Sequence, residues 1–497
     1  MEDSINYNIS ESDISTDFSN KESPNVNFLL KKCIELLRFP NESQYSDVVD
    51  NLFKESNELF IKKYNDDEKF NAKKSDLEKY IDTIKKKKKI EIKDFKKIQE
   101  FAISKGGFIT SDNRKCLYKK IYLLNHSNII KMLYIDYNAR TDRNWDFDKL
   151  DIFSEKRICD DVMNSSKYDI TINKDCERSK IFRIINDKDN NGRKISKLIS
   201  QDLEKYIKLI FCLNNNIYSY TQGIHDVGLF FLLLYHKSPH YAVAVFQRFI
   251  EFNLKELLNI NYNEKKMDHG TYKMIELYDA LMILKYIINL LDPKVKYFFE
   301  DIEKKDIFSF GDDDEGENNI DKYPICDFAI KWIISLFNTQ ITDINKIYRI
   351  FDYLIVSHPL AIYFLCAEII IDYYYKLDDK TLLNDKEKQL DYYINKINFD
   401  EIDFDYYIEK CQKNLKLIDN SEFNENLKLN EFCPMINKQL FVEKWIMNNN
   451  KEEYKNNFSF LKFFGILSLF ISTGGTMCFD FLVLSNKVRF LFLMASK

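Results

Sequence analysis

The chain has 497 residues, of which only 11 are Gly and 7 are Pro, and its 73 basic and 78 acidic side chains leave a net charge of −5. So few turn-forming residues argue against a many-stranded sandwich, barrel or propeller, and the charge balance excludes a strongly basic nucleic-acid-binding protein. We therefore expect an all-α protein with no nucleic-acid partner. The 10 Cys show no Cys-x-x-Cys spacing and the 6 His do not cluster with them, so we predict no metal site.

The N-terminal part of the chain, residues 1–90, is polar and Lys-rich, and we expect it to be largely disordered apart from one helix at Phe28–Arg38. It ends in the run Lys85–Lys89. Such a run can attract acidic lipid or nucleic acid, but in a Lys-rich chain it more often forms a solvated helix face, and we assign it no function.

Apolar residues at helical spacing begin near Phe95 and are clearest in Tyr272–Leu291, which Asp292 and Pro293 should end. Three further helices are predicted at Phe328–Phe337, Ile347–Val356 and Leu360–Tyr375. Residues 377–457 are charged and Asn-rich, and we interpret them as an accessory helical region.

Two short polar motifs precede these helices. In the first, Ile172, Asp175 and Arg178 stand at i, i+3 and i+6, which places them along one side of a helix. In the second, Tyr220-Thr-Gln222-Gly223-Ile-His225-Asp226 leads into an apolar helix, where polar side chains are costly unless they pair or act. Each motif alone also fits an ordinary structural role, such as a surface ion pair, a helix-start residue or a hydrogen-bonded histidine.

The motifs of enzymes that act alone on nucleotides or esters do not occur. The sequence contains no G-x-x-x-x-G-K-[ST], G-x-G-x-x-G, G-x-S-x-G or H-E-x-x-H stretch. A nucleotide hydrolase with its own phosphate-binding loop is therefore not expected.

The two motifs in this order resemble the paired signature of the TBC domain, the helical module that activates Rab GTPases. Supporting likenesses are Phe101–Thr110 with Arg114, which resembles the opening helix and turn of such domains, and Tyr348–Asp352 with the His358-Pro359-Leu360 segment. Tyr118 departs from the family, many members of which have Trp there. The resemblance implies an all-α, multi-helix TBC domain at residues 91–376, interrupted by insertions at Asp187–Gly192 and 311–320.

The resemblance also implies how the site residues would act on a GTP-bound Rab. Arg178 would be an arginine finger held by Asp175, and Gln222 would orient the attacking water. His225 or Asp226 would support Gln222. The remaining signature residues, Ile172, Tyr220 and Gly223, would be architectural. No cofactor of its own is implied, because GTP and Mg²⁺ belong to the partner. The alternatives are a Rab-binding adaptor without turnover and a helical scaffold without a GTPase partner.

The C-terminal residues 458–497 include a long apolar stretch. Phe463–Phe479 carries no charge, and the apolar character resumes at Phe481–Leu484. A helix of this length is close to what a bilayer requires, and a buried core helix fits as well. Gly-x-His-Asp after Gln222, together with His-Pro-Leu, resembles an ER tail-anchored subgroup of GAPs in ER-to-Golgi traffic. That resemblance favours a C-terminal membrane helix and a location on the cytoplasmic face of the ER or early secretory membranes. If the tail is a core helix, we expect a soluble cytoplasmic protein.

Overall fold

The computed structural model describes residues 39–124, 169–179, 182, 185, 192–213, 220–258, 272–307, 325–376 and 396–419. All of them lie in one compact unit that spans Met1–Lys444. Throughout the described ranges the secondary structure is helical and no strand occurs, which confirms the all-α prediction. None of the described helices is long and apolar enough to cross a membrane.

The helices are numbered here in chain order. They are α1 Glu42–Lys63, α2 Glu68–Lys85, α3 Ile92–Ile103, α4 Ser111–Ile121, α5 Asp169–Glu177, α6 Gly192–Leu213, α7 Ile224–Leu234, α8 Pro239–Phe249, α9 Lys255–Leu258, α10 Tyr272–Leu291, α11 Pro293–Ile307, α12 Ile330–Ser335, α13 Ile344–Val356, α14 Ala361–Tyr375 and α15 Phe404–Asn414. A π-helical turn, Ile250–Leu254, joins α8 to α9. The bounds of α10 confirm the predicted helix, and the ends of α12, α13 and α14 lie within three residues of the predicted ends.

The core is built around α7, in which every residue is buried. Gly228 lets two neighbouring helices approach closely, because a Cβ there would lie 2.5 Å from Ile207 Cδ1 in α6 and 3.1 Å from a ring carbon of Phe246 in α8. On another side, Phe230 stacks on Phe351 of α13 with 4.0 Å between the ring centroids. An apolar helix buried on all sides fixes the position of the loop that precedes it, and that loop carries Gln222.

A buried charge pair joins α4 to α13. The Arg114 Nε and Nη2 groups donate to the Asp352 carboxylate at 3.0–3.1 Å, and both side chains are almost fully buried. The same carboxylate accepts from Tyr118 Oη at 2.7 Å and from the Phe108 backbone N–H at 2.8 Å. Tyr118 therefore uses its hydroxyl as a further donor to a buried acceptor.

The N-terminal helices correct a prediction of the sequence. We expected residues 1–90 to be largely disordered, but residues 39–90 form α1 and α2, which pack on the rest of the molecule. Tyr45 Oη donates to Asp202 Oδ2 in α6 at 2.9 Å, and the Asn345 side chain in α13 donates to the Ser56 carbonyl at 3.1 Å. The buried apolar residues of α1 do follow helical spacing, but the polar, Lys-rich composition of the region outweighed that signal in the prediction. The predicted helix Phe28–Arg38 lies outside the described residues.

The lysine run is also not a helix face, because only Lys85 belongs to α2. The rest forms the connection to α3, where Lys87 Nζ pairs with the Asp94 carboxylate at 2.6 Å. The carbonyl groups of Lys85 and Lys87 accept from Lys120 in α4 at 3.4 and 2.6 Å. The Lys120 side chain therefore links this connection to α4.

The region after α14 contributes α15 to the same unit. Asp405 pairs with Arg349 of α13 and accepts from the Gly106 backbone N–H at 3.1 Å. Arg349 also donates to the carbonyls of Ala102 and Ile103, at the end of α3, at 2.7 and 2.8 Å. Helix α15 therefore contacts the turn at Gly106, in the segment that resembles the opening of a TBC domain. The predicted tail segment, Phe463–Leu484, and the insertion at 311–320 lie outside the described residues, as does the insertion Asp187–Gly192 except for Gly192, which begins α6.

Candidate functional site

The first signature motif lies on α5 and just beyond it. Ile172 and Asp175 are 2% and 1% exposed, so both point into the protein. Arg178 is not part of the helix as expected, because α5 ends at Glu177. Its backbone N–H still donates to the Asp175 carbonyl at 3.1 Å, which continues the turn by one residue. The Arg178 side chain is 64% exposed and therefore projects from the surface.

Two acceptors hold the Arg178 guanidinium. Nη2 pairs with Asp175 Oδ1, and Nε donates to the Lys174 carbonyl at 3.0 Å. Because Asp175 is buried and itself fixed, it holds one edge of the Arg178 guanidinium in a defined position, while the other edge remains in solvent. The geometry agrees with the role that the resemblance implies for Asp175, which is to orient the guanidinium.

The second motif forms a tight turn that begins α7. Gly223 has φ +104°, in the left-handed region that disfavours side chains, and a Cβ there would lie 3.1 Å from Ile334 Cγ2. Both facts support the architectural role implied for Gly223. The preceding Gln222 is exposed, and within the described ranges its amide has no hydrogen-bond partner.

Buried side chains connect the two motifs. Tyr220 Oη donates to Asp175 Oδ2 at 2.9 Å and also lies 3.1 Å from His225 Nδ1. His225 Nε2 lies 3.3 Å from Asp226 Oδ2, and the other oxygen of Asp226 accepts from the Ser179 hydroxyl. The support of Gln222 by His225 or Asp226 stays a prediction. In the part of the chain that is described, these residues contact Tyr220 and Ser179 rather than the Gln222 amide.

Ser179 and Asn338 are two residues of this site that the sequence analysis missed. Ser179 is 4% exposed and directly follows Arg178. Asn338, which follows α12, donates from Nδ2 to the Asp226 carbonyl at 3.2 Å and so anchors the start of α7. The position of Ser179 next to Arg178 was the one available signal. Nothing near Asn338 in the sequence marks its contact, because the two partners are far apart along the chain.

Burial controls the protonation of this cluster. It raises the pKa of the Asp226 carboxyl, although the charge of His225 and the Ser179 hydrogen bond oppose the change. Burial, followed by the nearby charge of Asp175, raises the pKa of Tyr220 far above its usual range, so this hydroxyl stays protonated and remains a donor. Burial likewise raises the pKa of Cys176, which makes its thiol a poor nucleophile.

No metal site is evident in the described ranges, where no group of three or more His, Cys, Asp or Glu side chains is placed to hold an ion. The site instead presents the guanidinium of Arg178 and the amide of Gln222 on a buried, hydrogen-bonded base. The assignment of GTP and Mg²⁺ to a partner protein stays a prediction.

Comparison with known families identifies the domain that carries this site. The sequence model of the Rab-GTPase-TBC domain matches residues 133–377. This chain is a TBC-domain protein. The matched range contains both signature motifs, Ser179, Asn338 and Asp352, so the TBC domain includes every residue of the candidate site.

Individual relatives agree with this assignment. The TBC-domain protein is 28% identical over 181 residues to "GTPase-activating protein gyp10" of Schizosaccharomyces pombe, a stretch that covers 36% of each chain. It is 22% identical over 173 residues to "TBC1 domain family member 20" of Homo sapiens and of Bos taurus, covering 35% of this chain and 34% of theirs. The similarity therefore spans about a third of the length of the curated relatives.

The structural unit of this TBC-domain protein is larger than the family match. Helices α1 to α4 precede residue 133 and α15 follows residue 377, yet all of them contribute buried residues. Arg114 and Tyr118, which satisfy Asp352 inside the matched range, come from the preceding part. A fragment cut at the family boundaries would leave that carboxylate without partners.

Proposed function

We propose that this protein is a GTPase-activating protein that accelerates GTP hydrolysis by a Rab-family small GTPase. The observation that carries the proposal is the pair of exposed side chains, Arg178 and Gln222, that rise from one buried, hydrogen-bonded base. The TBC domain and the relative whose printed name is a GTPase-activating protein support the same conclusion.

Arg178 supplies the positive charge of the reaction in this proposal. GTP hydrolysis passes through a loose transition state in which charge is spread over the oxygens of the transferred phosphoryl group. A guanidinium is planar and permanently charged, so it can donate two hydrogen bonds to those oxygens at neutral pH. Because Asp175 already holds one edge of Arg178, little side-chain freedom remains to be lost when the Rab docks.

Gln222 supplies the amide that positions water. Its carbonyl oxygen can accept from the attacking water while its NH₂ group donates to the partner. The Gln222 amide is exposed and makes no hydrogen bond to another described residue, so among these residues docking breaks no hydrogen bond of the amide. The left-handed turn at Gly223 directs the backbone at this point and limits its freedom.

The test is single-turnover GTP hydrolysis by a panel of Rabs, with the full chain added as activator. The full chain is used because residues 39–90 pack on the domain. We expect Arg178→Ala to reduce the stimulated rate by about 10³–10⁵-fold, the usual contribution of an arginine finger. The matched control is Arg193→Ala, which removes the same side chain from an exposed position on α6 and should leave the rate unchanged.

The outcomes separate the proposal from its main alternative. Stimulation of one Rab that is lost with either Arg178→Ala or Gln222→Ala supports the two-finger mechanism. Binding of a GTP-loaded Rab by the wild-type chain without acceleration would instead assign the protein to the adaptor class. Arg178→Lys adds a finer test, because it keeps the charge but removes the planar fork and should recover little of the rate.

We further propose that the Rab acts in ER-to-Golgi vesicle traffic and that Phe463–Leu484 anchors the protein on the cytoplasmic side of that membrane. The Gly-x-His-Asp and His-Pro-Leu segments support this through their resemblance to the ER tail-anchored subgroup. Carbonate extraction of membranes from cells that express the full chain, or the chain ending at residue 457, tests the anchor. Recovery of the full chain in the soluble fraction would contradict it.

A further inference from the structure

The contacts between the two motifs form a closed ring, and members of this ring flank Arg178 and Gln222 along the chain. On one side of the ring, Asp175 and Ser179 bracket Arg178 along the chain. On the other side, Tyr220 and Asp226 bracket Gln222. The Asp175–Tyr220 and Ser179–Asp226 hydrogen bonds then join the two brackets across the fold.

We propose that Ser179 is a positioning residue that, through Asp226, locks the backbone after Arg178 to the first turn of α7. The inference rests on the proposed GTPase-activating function and gives the backbone at Arg178 a second point of attachment. Asp175 holds Arg178 from three residues before, and Ser179 holds it from the residue after. After α5 ends, the Phe182 backbone N–H donates to the Ser179 carbonyl at 3.2 Å, which continues the turn locally, and the Ser179 hydroxyl adds the bond that ties this turn to α7.

Burial makes this attachment effective. Ser179, Asp226 and His225 are 4%, 7% and 5% exposed, so water cannot readily replace a lost partner. Asp226 is fixed in turn, because Asn338 binds its carbonyl and His225 contacts its second oxygen. The Ser179 hydroxyl therefore binds to a rigid part of the fold rather than to a mobile side chain.

The donors around the ring can be assigned from its chemistry. Tyr220 has one hydroxyl proton and gives it to the Asp175 carboxylate, so its oxygen can accept from His225 Nδ1 in the tautomer that carries a proton there. The Ser179 hydroxyl donates to the remaining Asp226 oxygen. Every donor in the ring has an acceptor, so loss of one member leaves a buried group unsatisfied.

The experiment compares Ser179→Ala, Ser179→Thr, Asp226→Asn and the double variant Ser179→Ala/Asp226→Asn in the full chain. Hydrogen exchange of the segment around Arg178 is measured without any Rab, and single-turnover rates are measured with one. We expect Ser179→Ala to speed exchange of this segment and to lower the saturating rate by about tenfold, with the concentration for half-maximal stimulation unchanged. Ser179→Thr keeps the hydroxyl and should behave as wild type. The double variant should be no slower than Asp226→Asn alone, because both remove the same bond.

Several outcomes would overturn the inference. Wild-type exchange in Ser179→Ala would show that the hydroxyl does not hold this segment, whatever the activity. A change confined to half-maximal concentration would assign Ser179 to Rab binding, and additive effects in the double variant would separate it from Asp226. Absence of stimulation by the wild-type chain would refute the proposed function instead, and the exchange data would still decide whether Ser179 fixes the backbone.

Discussion

Neutralising the buried carboxylate of Asp352 should severely destabilise the fold. Asp352→Asn is nearly isosteric, so it creates no cavity, but it removes the charge that faces Arg114 and replaces one acceptor oxygen by a donor NH₂ group. Four donor groups point at this carboxylate, namely two from Arg114 and one each from Tyr118 and the Phe108 backbone. Leaving a buried charge without its partner costs about 3–5 kcal/mol, and we expect a loss of unfolding free energy in this range.

The measurement is the midpoint of urea unfolding, followed by far-UV circular dichroism. Asp82→Asn is the control, because that carboxylate is 77% exposed and only loosely paired with Lys85, so its midpoint should not move. A second variant, Arg114→Met/Asp352→Leu, removes both charges and fills the space with apolar atoms. It should be more stable than Asp352→Asn, since no unpaired charge remains and only the neutral donors of Tyr118 and Phe108 lose their acceptor. A single variant that unfolds like wild type, or a double variant that is worse, would refute the reasoning.

Three further predictions concern the base of the site and the N-terminal helices. Gly223→Ala should lower the unfolding midpoint and reduce GTPase stimulation, because a side chain at φ +104° costs about 1–2 kcal/mol before its contact with Ile334 is counted. An unchanged rate would mean that this turn does not determine the position of Gln222. Burial lowers the pKa of His236 to about 4 despite a hydrogen bond to the Leu233 carbonyl, so the folded state binds fewer protons than the unfolded state between pH 6.5 and 4. Stability should therefore fall as the pH falls through this window, and His236→Asn should show a smaller fall in melting temperature than wild type between pH 7.5 and 5. Tyr45→Phe removes the donor to Asp202 and should lower the melting temperature, whereas Leu59→Ser, at an exposed position on the same helix, should not; equal effects would show that α1 is not held by this bond.

The helices that the sequence predicted well are those whose signals are local. Tyr272–Leu291 was predicted with its observed bounds because apolar spacing and a following Pro are local signals. Helix α1 was missed, although it buries Tyr45 and Phe53, because polar residues dominate its composition and its partners Asp202 and His236 lie far along the chain. Its stability comes from tertiary contacts rather than from local pattern.

In the candidate site, too, the features that the sequence predicted are the local ones. Two short motifs in a specific order were enough to select Arg178 and Gln222, because each pattern carries its polar residues within seven positions. The sequence also implied that Asp175 holds Arg178, which is an i, i+3 relation and therefore local. The expected helical position of Arg178 was wrong by one residue, because α5 ends at Glu177.

By itself, then, the sequence determined the helical class, the residue types that suit phosphate chemistry and their order along the chain. Only the tertiary structure decided that Ser179 binds Asp226, that Tyr220 joins Asp175 to His225, and that Asn338 anchors the start of α7. The physical reason is distance along the chain. Hydrogen bonds between residues 45 to 112 positions apart leave no periodic trace in the sequence, and they form only when the packing of the helices around α7 brings their partners together.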